Sequence, residues 1–101
     1  MFPTQITLRN LRPNPELSGR IRDLCEKLGH LHPRILTCRV AIEQPSGEPY
    51  FVGVQLRLPG LEIIGDPHQD AELDTALRKA FTNVRRQLRE ATLSAATISR
   101  A

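Results

Sequence analysis

The chain has 101 residues, 25% of them charged, with a formal net charge of +3 and a pI near 9.4. This length supports one domain that folds without a metal ion or disulfides. Three Phe and one Tyr are too few for a platform that stacks unpaired bases, so any contact with nucleic acid relies on phosphates. Because Met1 to Asn10 lack the apolar core of a signal peptide and no later segment is long enough to span a membrane, we expect a cytoplasmic protein.

The first part of the chain predicts a strand followed by an amphipathic helix. Residues 5–9 alternate between polar and apolar side chains, which is the period of a half-buried strand. Residues 14–16, Asn-Pro-Glu, are typical of a helix start, since they supply an N-cap, a proline at the first helical position and an acid near the positive helix end. Apolar side chains then recur at helical spacing to Leu31, with Gly29 expected as the C-cap and Pro33 beyond the helix end.

Three further strands and a second helix are predicted after this helix. Alternation with a period of two indicates strands over residues 35–43 and 50–58, joined by a turn at 45–49, and a short fourth strand over 61–64. From about residue 70 to 91, apolar side chains recur every three or four positions, which predicts a helix. The inward positions expected in the second strand are Leu36, Cys38, Val40 and Ile42.

The order of these elements predicts the class of the fold. A β-α-β-β-β-α arrangement with amphipathic helices gives a two-layer α+β domain, in which a four-stranded sheet carries both helices on one face. We expect this single domain over residues 1–91 and a frayed tail over residues 92–101, which are small and hydroxylated.

The histidines and cysteines do not predict a catalytic site. His30 and His32 with either cysteine form a conceivable zinc set, but the spacing lacks the paired ligands of a zinc finger. Cys25 and Cys38 lie at or beside apolar positions, which favours two reduced and buried thiols. The glycines are scattered and form no phosphate loop. We therefore predict a protein that is not an enzyme and that needs no cofactor, metal ion or small-molecule substrate.

A polarised segment near the end of the chain carries the strongest functional signal. Residues 75–89 contain five basic side chains and no acidic one, whereas residues 70–74 contain three acids. The acids fall in the first turn of the predicted helix, where free N–H groups and the helix dipole favour carboxylates, so we expect them to cap it. A solvated helix face usually mixes the two signs of charge. The sequence therefore leaves two interpretations open, a solvated face and a surface that contacts a polyanion.

The basic side chains do not surround the predicted helix evenly. They occupy one flank of its apolar stripe and its back, with Arg78, Arg85 and Arg89 on the flank and Lys79 and Arg86 on the back. If both helices pack on the same sheet face, Arg20 and Lys27 of the first helix line a groove with that flank. The alternative for each is local pairing with an acid four residues earlier in the chain.

Several stretches, taken in their order and spacing, carry a family resemblance. They are ITLRN at 6–10, RILTCRVAIE at 34–43, LPGLEI at 58–63, ALRKAF at 76–81 and RRQL at 85–88. On these residues the chain resembles the ribosome hibernation-promoting factors, also called ribosome-associated inhibitor A proteins, over roughly residues 4–91. The region that matches is the domain of the short form, without the dimerisation domain of the long form.

The resemblance implies a domain that occupies the small ribosomal subunit, where the tRNA and mRNA sites lie, and inhibits translation or promotes the hibernation of idle ribosomes under stress. It also implies contacts with ribosomal RNA from basic residues on the two helices. The residues of this chain that match those contacts are Lys27, Arg78, Arg85, Arg86 and Arg89. Lys79 completes the predicted RNA-binding set. Asn83 and Glu90 stand where relatives often carry lysine, and the turn at 45–49 is short and lacks basic residues.

Two other functions remain open at this level. The first is a divergent protein-interaction module of the same fold that uses the helix face for an acidic protein partner. The second is a generic binder of double-stranded RNA, although such domains usually place lysines where this chain has the acids of residues 70–74. The sequence leaves the oligomeric state open.

Overall fold

A computed structural model describes residues 2–45, 49–65 and 67–100, with side chains through Ala91. The described part contains five strands and two helices. They are β1 (Thr4–Arg9), α1 (Pro15–Leu31), β2 (Thr37–Glu43), β3 (Tyr50–Leu58), β4 (Leu61–Ile64), β5 (His68–Asp70) and α2 (Leu73–Arg100). This order confirms the predicted α+β architecture and adds one strand to it.

The sheet is mixed, with β1 parallel to β2 and every other pair antiparallel. Strand β3 lies in its centre, since it pairs with β2 along one edge and with both β4 and β5 along the other. Helix α1 connects β1 to the parallel strand β2, as such a crossover requires. The fifth strand was not predicted, because three residues are too few to show a period.

Strands β4 and β5 pair with the same edge of β3 but are out of register by one residue. Ile64 pairs with Gln55 and His68 with Val52, so three residues on one side oppose two on the other. An extra residue of this kind is a β-bulge, which re-aims the side chains that follow it. Because cross-strand partners share a face, His68 lies on the same face of the sheet as the buried Val52, and so does Asp70. This is the face that α2 covers.

One continuous core fills the space between the sheet and the helices. Alternate residues of β2 and β3 meet one stripe of each helix, as the predicted periods require. The residues that are at most 2% exposed are Ile21, Cys25, Cys38, Val40, Ile42, Val52, Val54, Leu56, Ala76, Leu77, Ala80, Val84 and Leu88. Each Ile, Leu or Val side chain buried in this way stabilises the fold by about 1.5–3 kcal/mol.

The close approach of α2 to the bulge depends on Gly65. A Cβ at this position would lie 2.7 Å from Cγ2 of Val84 and 3.3 Å from the carbonyl oxygen of Val54. The Gly65 N–H donates a hydrogen bond of 2.9 Å to that same oxygen, which holds the backbone in place.

We expect Gly65→Ala to lower the free energy of unfolding by about 1–3 kcal/mol, because the helix must move away from the sheet to admit the methyl group. Gly53→Ala is the matched control, since a Cβ at Gly53 meets no atom within 4 Å, and it should change stability by less than about 0.5 kcal/mol. Urea denaturation followed by circular dichroism measures both. Equal effects of the two substitutions would contradict the packing role of Gly65.

Helix α1 begins as the sequence predicts. The Oδ1 atom of Asn14 accepts a hydrogen bond of 2.9 Å from the backbone N–H of Glu16, and Pro15 occupies the first turn. Replacing such an N-cap by alanine typically costs about 1 kcal/mol.

The predicted C-cap of α1 is wrong by three residues, since it lies at His32 and not at Gly29. The helix continues past Gly29 to Leu31, and the backbone N–H of His32 donates a hydrogen bond of 2.8 Å to the carbonyl of Leu28. Gly29 instead makes room for an aromatic ring, because a Cβ there would lie 2.8 Å from Cε2 of Phe2. The glycine is thus explained by packing and not by helix termination.

Two leucines expected to face the core are exposed. Leu36 precedes β2 and is 48% exposed, and Leu31, the last residue of α1, is 54% exposed. Leu31 lies beyond Leu28, the last buried residue of α1. Leu36 lies before the first residue of β2, where the neighbouring Ile35 is buried in its place. The backbone N–H of Leu36 still donates a hydrogen bond to the carbonyl of Arg57.

Helix α2 differs from its prediction at both ends. It begins at Leu73 and not near residue 70, because Asp70 belongs to β5, and its backbone continues to Arg100. The side chains after Ala91 lie outside the described residues, so the division into a domain over 1–91 and a frayed tail over 92–101 stays a prediction. Neither helix in the described ranges combines the length and apolarity that crossing a bilayer requires.

Candidate nucleic-acid interface

Of the three acids expected to cap the first turn of α2, Asp70 belongs to β5, Glu72 precedes the helix, and only Asp74 lies in that turn. The Oδ1 atom of Asp70 accepts a hydrogen bond of 2.9 Å from the backbone N–H of Glu72, and its Oδ2 atom lies 3.0 Å from Nζ of Lys79. The carbonyl of Glu72 accepts the first helical hydrogen bond, from Ala76. The Glu72 N–H, and secondly Lys79, hold the pKa of the Asp70 carboxyl below its usual 3.8. Lys79 is therefore neutralised by a partner.

This pKa shift predicts a stability effect confined to acid solution. Because the folded pKa of Asp70 is lowered, its carboxylate stabilises the fold fully above about pH 4 and loses that contribution as the pH falls through the folded value. We expect Asp70→Asn to be less stable than the natural chain at neutral pH, with the difference shrinking below about pH 4. Urea denaturation of both chains between pH 7 and 2.5 measures this. A difference independent of pH would contradict the assignment.

An ion pair connects the two helices. Arg20 of α1 lies 2.8 Å from Asp74 of α2, and both side chains are more than half exposed, so the pair contributes at most about 1 kcal/mol. The local pairing of Arg20 with Glu16, one alternative from the sequence, is not formed. Lys27 follows Arg20 by seven residues and so lies on the same side of α1, the side turned toward α2.

The flank of α2 that faces α1 is basic. Arg78, Arg85 and Arg89 follow Asp74 at intervals of four, seven and four residues, which keeps all of them on the side that Arg20 contacts. Since Asp74 binds Arg20, it does not neutralise Arg78, its neighbour one helical turn later.

Five basic side chains of the predicted set are exposed and unmatched. Within residues 2–45, 49–65 and 67–91, none of them has a recorded ion pair or side-chain hydrogen bond. They are Lys27, Arg78, Arg85, Arg86 and Arg89. Like charges four residues apart on a helix, such as Arg85 and Arg89, cost a few tenths of a kcal/mol, about 0.2–0.5. A polyanion laid along this face would relieve that repulsion.

The back of α2 forms a shallow pocket with β5, with a volume of about 330 Å³. All of its lining side chains are polar or charged: His68, Arg78, Lys79, Thr82, Asn83 and Arg86. The Nε2 atom of His68 is buried there and has no hydrogen-bond partner among the described residues. His68 and Thr82 were not identified from the sequence, because the bulge that brings β5 against α2 leaves no periodic signal.

Asn83, one of the two departures from lysine, takes part in the helix surface. Its Oδ1 atom accepts a hydrogen bond of 2.7 Å from Nε2 of Gln87, and the pair is partly buried. A long, charged side chain at residue 83 would lie against Gly65, where the helix meets the sheet most closely. Glu90 is exposed and lies on the flank opposite to the arginines.

The histidines and cysteines considered for metal binding are not brought together in a metal site among the described residues. The described residues contain no cluster of three His, Cys, Asp or Glu side chains able to hold a metal ion. Cys25 and Cys38 are buried thiols, as predicted, and their Sγ atoms lie 3.1 Å apart.

The fold and this surface define a small α+β domain with a basic helix face. Residues 4–92 match the family described as sigma 54 modulation protein / S30EA ribosomal protein, and the chain belongs to this family. This membership confirms the resemblance to the hibernation-promoting factors. No curated protein matches the sequence.

Two solved structures show how far the fold is shared. A ribosomal subunit interface protein from Coxiella burnetii is similar with a TM-score of 0.74 and 18% identity, over 91% of this chain and 99% of the other. The N-terminal domain of Protein Y from Thermus thermophilus is similar with a TM-score of 0.77 and 19% identity, over 89% and 98%. At these identities the likeness establishes the fold alone.

Proposed function

We propose that this protein is a non-catalytic, cytoplasmic RNA-binding protein that occupies the small ribosomal subunit and inhibits translation or promotes the hibernation of idle ribosomes. The observation that supports this most is the row of exposed, unmatched arginines on α2, in a chain of the S30EA ribosomal protein family whose fold a ribosomal subunit interface protein shares. Ribosomal RNA is the partner that a face of this kind suits, because it presents phosphates in a fixed array.

Arginine is well suited to this task. Its planar guanidinium presents parallel N–H donors that bind a phosphate through two hydrogen bonds, and it stays charged at every physiological pH. The few aromatic side chains leave base stacking with little part in binding. Recognition therefore rests on the spacing of phosphates in folded RNA and not on base sequence.

The pocket between β5 and α2 offers one fixed position for such a phosphate. Arg78 and Arg86 line it from one helix face, and His68 lines it from β5. Lys79 also lines the pocket, and its ammonium group keeps donors beyond the one given to Asp70. We place Lys79 in the RNA-binding set as a weaker member than the four arginines.

Co-sedimentation with purified small ribosomal subunits tests the proposal. At about 50 mM monovalent salt the chain should migrate with the subunit, and it should lower the yield of a cell-free translation reaction. Absence from the subunit fraction at low salt would refute ribosome binding. Migration with the subunit without any effect on translation would retain binding and refute inhibition.

A further inference from the structure

The two cysteines form a contact between the helix layer and the sheet. Cys25 lies in the middle of α1 and Cys38 near the start of β2, and both side chains are at most 1% exposed. Their Sγ atoms are 3.1 Å apart and share one hydrogen bond. The chain contains no other cysteine.

We propose that Cys25 and Cys38 are a redox-modified pair, which a hydroperoxide oxidises to an intramolecular disulfide. A disulfide has an S–S distance of about 2.05 Å, so the sulfur atoms need to approach by only about 1 Å. The two thiols therefore lie close to bonding distance before oxidation. This inference is independent of ribosome binding.

A surface pocket reaches one of the two cysteines. An open pocket of about 670 Å³ lies beside α1 and the start of β1, and Cys25 lines it together with Thr4 and Arg22, whereas Cys38 does not. Hydrogen peroxide, which is about the size of water, can enter such a space. Cys25 is therefore the attacking thiol and Cys38 the one that resolves the intermediate.

The hydrogen bonds of the pair assign the same roles. The hydrogen bond with Cys38, and to a smaller extent one with Thr4, lowers the pKa of Cys25 in spite of its burial. The same contact and burial raise the pKa of Cys38. Since the thiolate is the nucleophile, Cys25 reacts first.

Each step of the reaction balances. The Cys25 thiolate attacks one oxygen of hydrogen peroxide, the O–O bond breaks, and the departing hydroxide takes up a proton to give water and a sulfenic acid on Cys25. The sulfur of Cys38 then attacks the Cys25 sulfur and displaces the hydroxyl, which leaves as water with the Cys38 proton. In total, two thiols lose two electrons and one peroxide becomes two waters. A dithiol reductant reverses the oxidation.

The disulfide would link α1 covalently to β2. A cross-link between residues thirteen positions apart restricts the unfolded chain more than the folded one. We expect the melting temperature of the oxidised protein to rise by roughly 10 °C and to return on treatment with dithiothreitol.

Mass spectrometry of the full chain tests the proposal. After a small excess of hydrogen peroxide, the intact mass should fall by about 2 Da, both cysteines should resist iodoacetamide in the unfolded protein, and a proteolytic digest should contain the Cys25–Cys38 cross-linked peptide. Thiols that remain alkylatable, oxygen addition to a cysteine without a cross-link, or disulfide dimers between chains would each overturn it.

Two variants test the order of attack. In Cys38→Ala, Cys25 should accumulate as a sulfenic acid that dimedone traps, and in Cys25→Ala, Cys38 should stay reduced under the same conditions. The reverse pattern would overturn the assigned roles. The cross-link itself is judged on the natural chain, so a variant that fails to fold does not remove the test.

Discussion

Replacing Arg85 and Arg86 together by glutamate is expected to weaken binding to the small ribosomal subunit by about 100-fold or more. Each charge-assisted hydrogen bond to phosphate contributes about 1.5–3 kcal/mol, and two reversed charges add repulsion to the loss of two contacts. Both side chains are exposed, so the fold should keep its stability within about 0.5 kcal/mol. Co-sedimentation at fixed salt measures the affinity, and circular dichroism checks the fold.

The control for this variant changes the same amount of charge on another face. Arg9 and Arg39 are exposed residues on the side of the sheet that faces away from both helices. Their double replacement by glutamate should weaken binding far less, since only the long-range charge of the protein changes. If both variants lost the subunit equally, net charge and not the helix face would explain binding. If both variants still bound the subunit, but the double replacement of Arg85 and Arg86 by glutamate abolished binding to an acidic protein partner, the protein-interaction alternative would be correct.

Raising monovalent salt from about 50 to 200 mM is expected to lower the affinity for the small subunit by roughly 100-fold or more. Each phosphate contact steepens the slope of log affinity against log salt by about 0.7–0.9, so five basic side chains predict a slope near −4. The five are the unmatched residues Lys27, Arg78, Arg85, Arg86 and Arg89. Co-sedimentation over a salt series gives the slope directly.

The same series run with single variants separates the contacts. Arg89→Ala should make the slope of log affinity against log salt shallower by about 0.7–0.9, the share of one phosphate contact. Lys79→Ala should change the slope less, because Asp70 already neutralises that ammonium group. A slope near zero for the natural chain would show that phosphate contacts do not dominate. Equal changes for Arg89 and Lys79 would mean that the pair with Asp70 opens on binding.

The regular elements were predictable from the sequence because their periods are unbroken. Asn14 and Pro15 begin α1 where expected, and the alternation of β2 and β3 gives the buried rows of the sheet. The predictions are wrong at positions where two segments that are distant in the sequence pack together. Glycine is a residue type that often ends helices, but Gly29 instead makes room for the ring of Phe2. Phe2 is distant in the sequence, so no local pattern predicts this contact.

The candidate site shows the same limit. Projection onto a helix correctly placed the arginines on exposed positions, since exposure follows from the period alone. It could not show that Lys79 is held by Asp70 or that Asp74 binds Arg20, because both pairs depend on tertiary neighbours. His68 was missed for the same reason: its place beside α2 follows from the pairing register of a three-residue strand.

The bulge between β4 and β5 makes strand register a determinant of surface potential. If residues 65–70 continued the register of β4 without a bulge, Gln69 would lie opposite Tyr50 in place of Asp70. Lys79 would then lose its carboxylate, and the helix would display one more uncompensated positive charge without any change in its own sequence. Relatives with identical helices but a different register at this point are thus expected to differ in their attraction for polyanions.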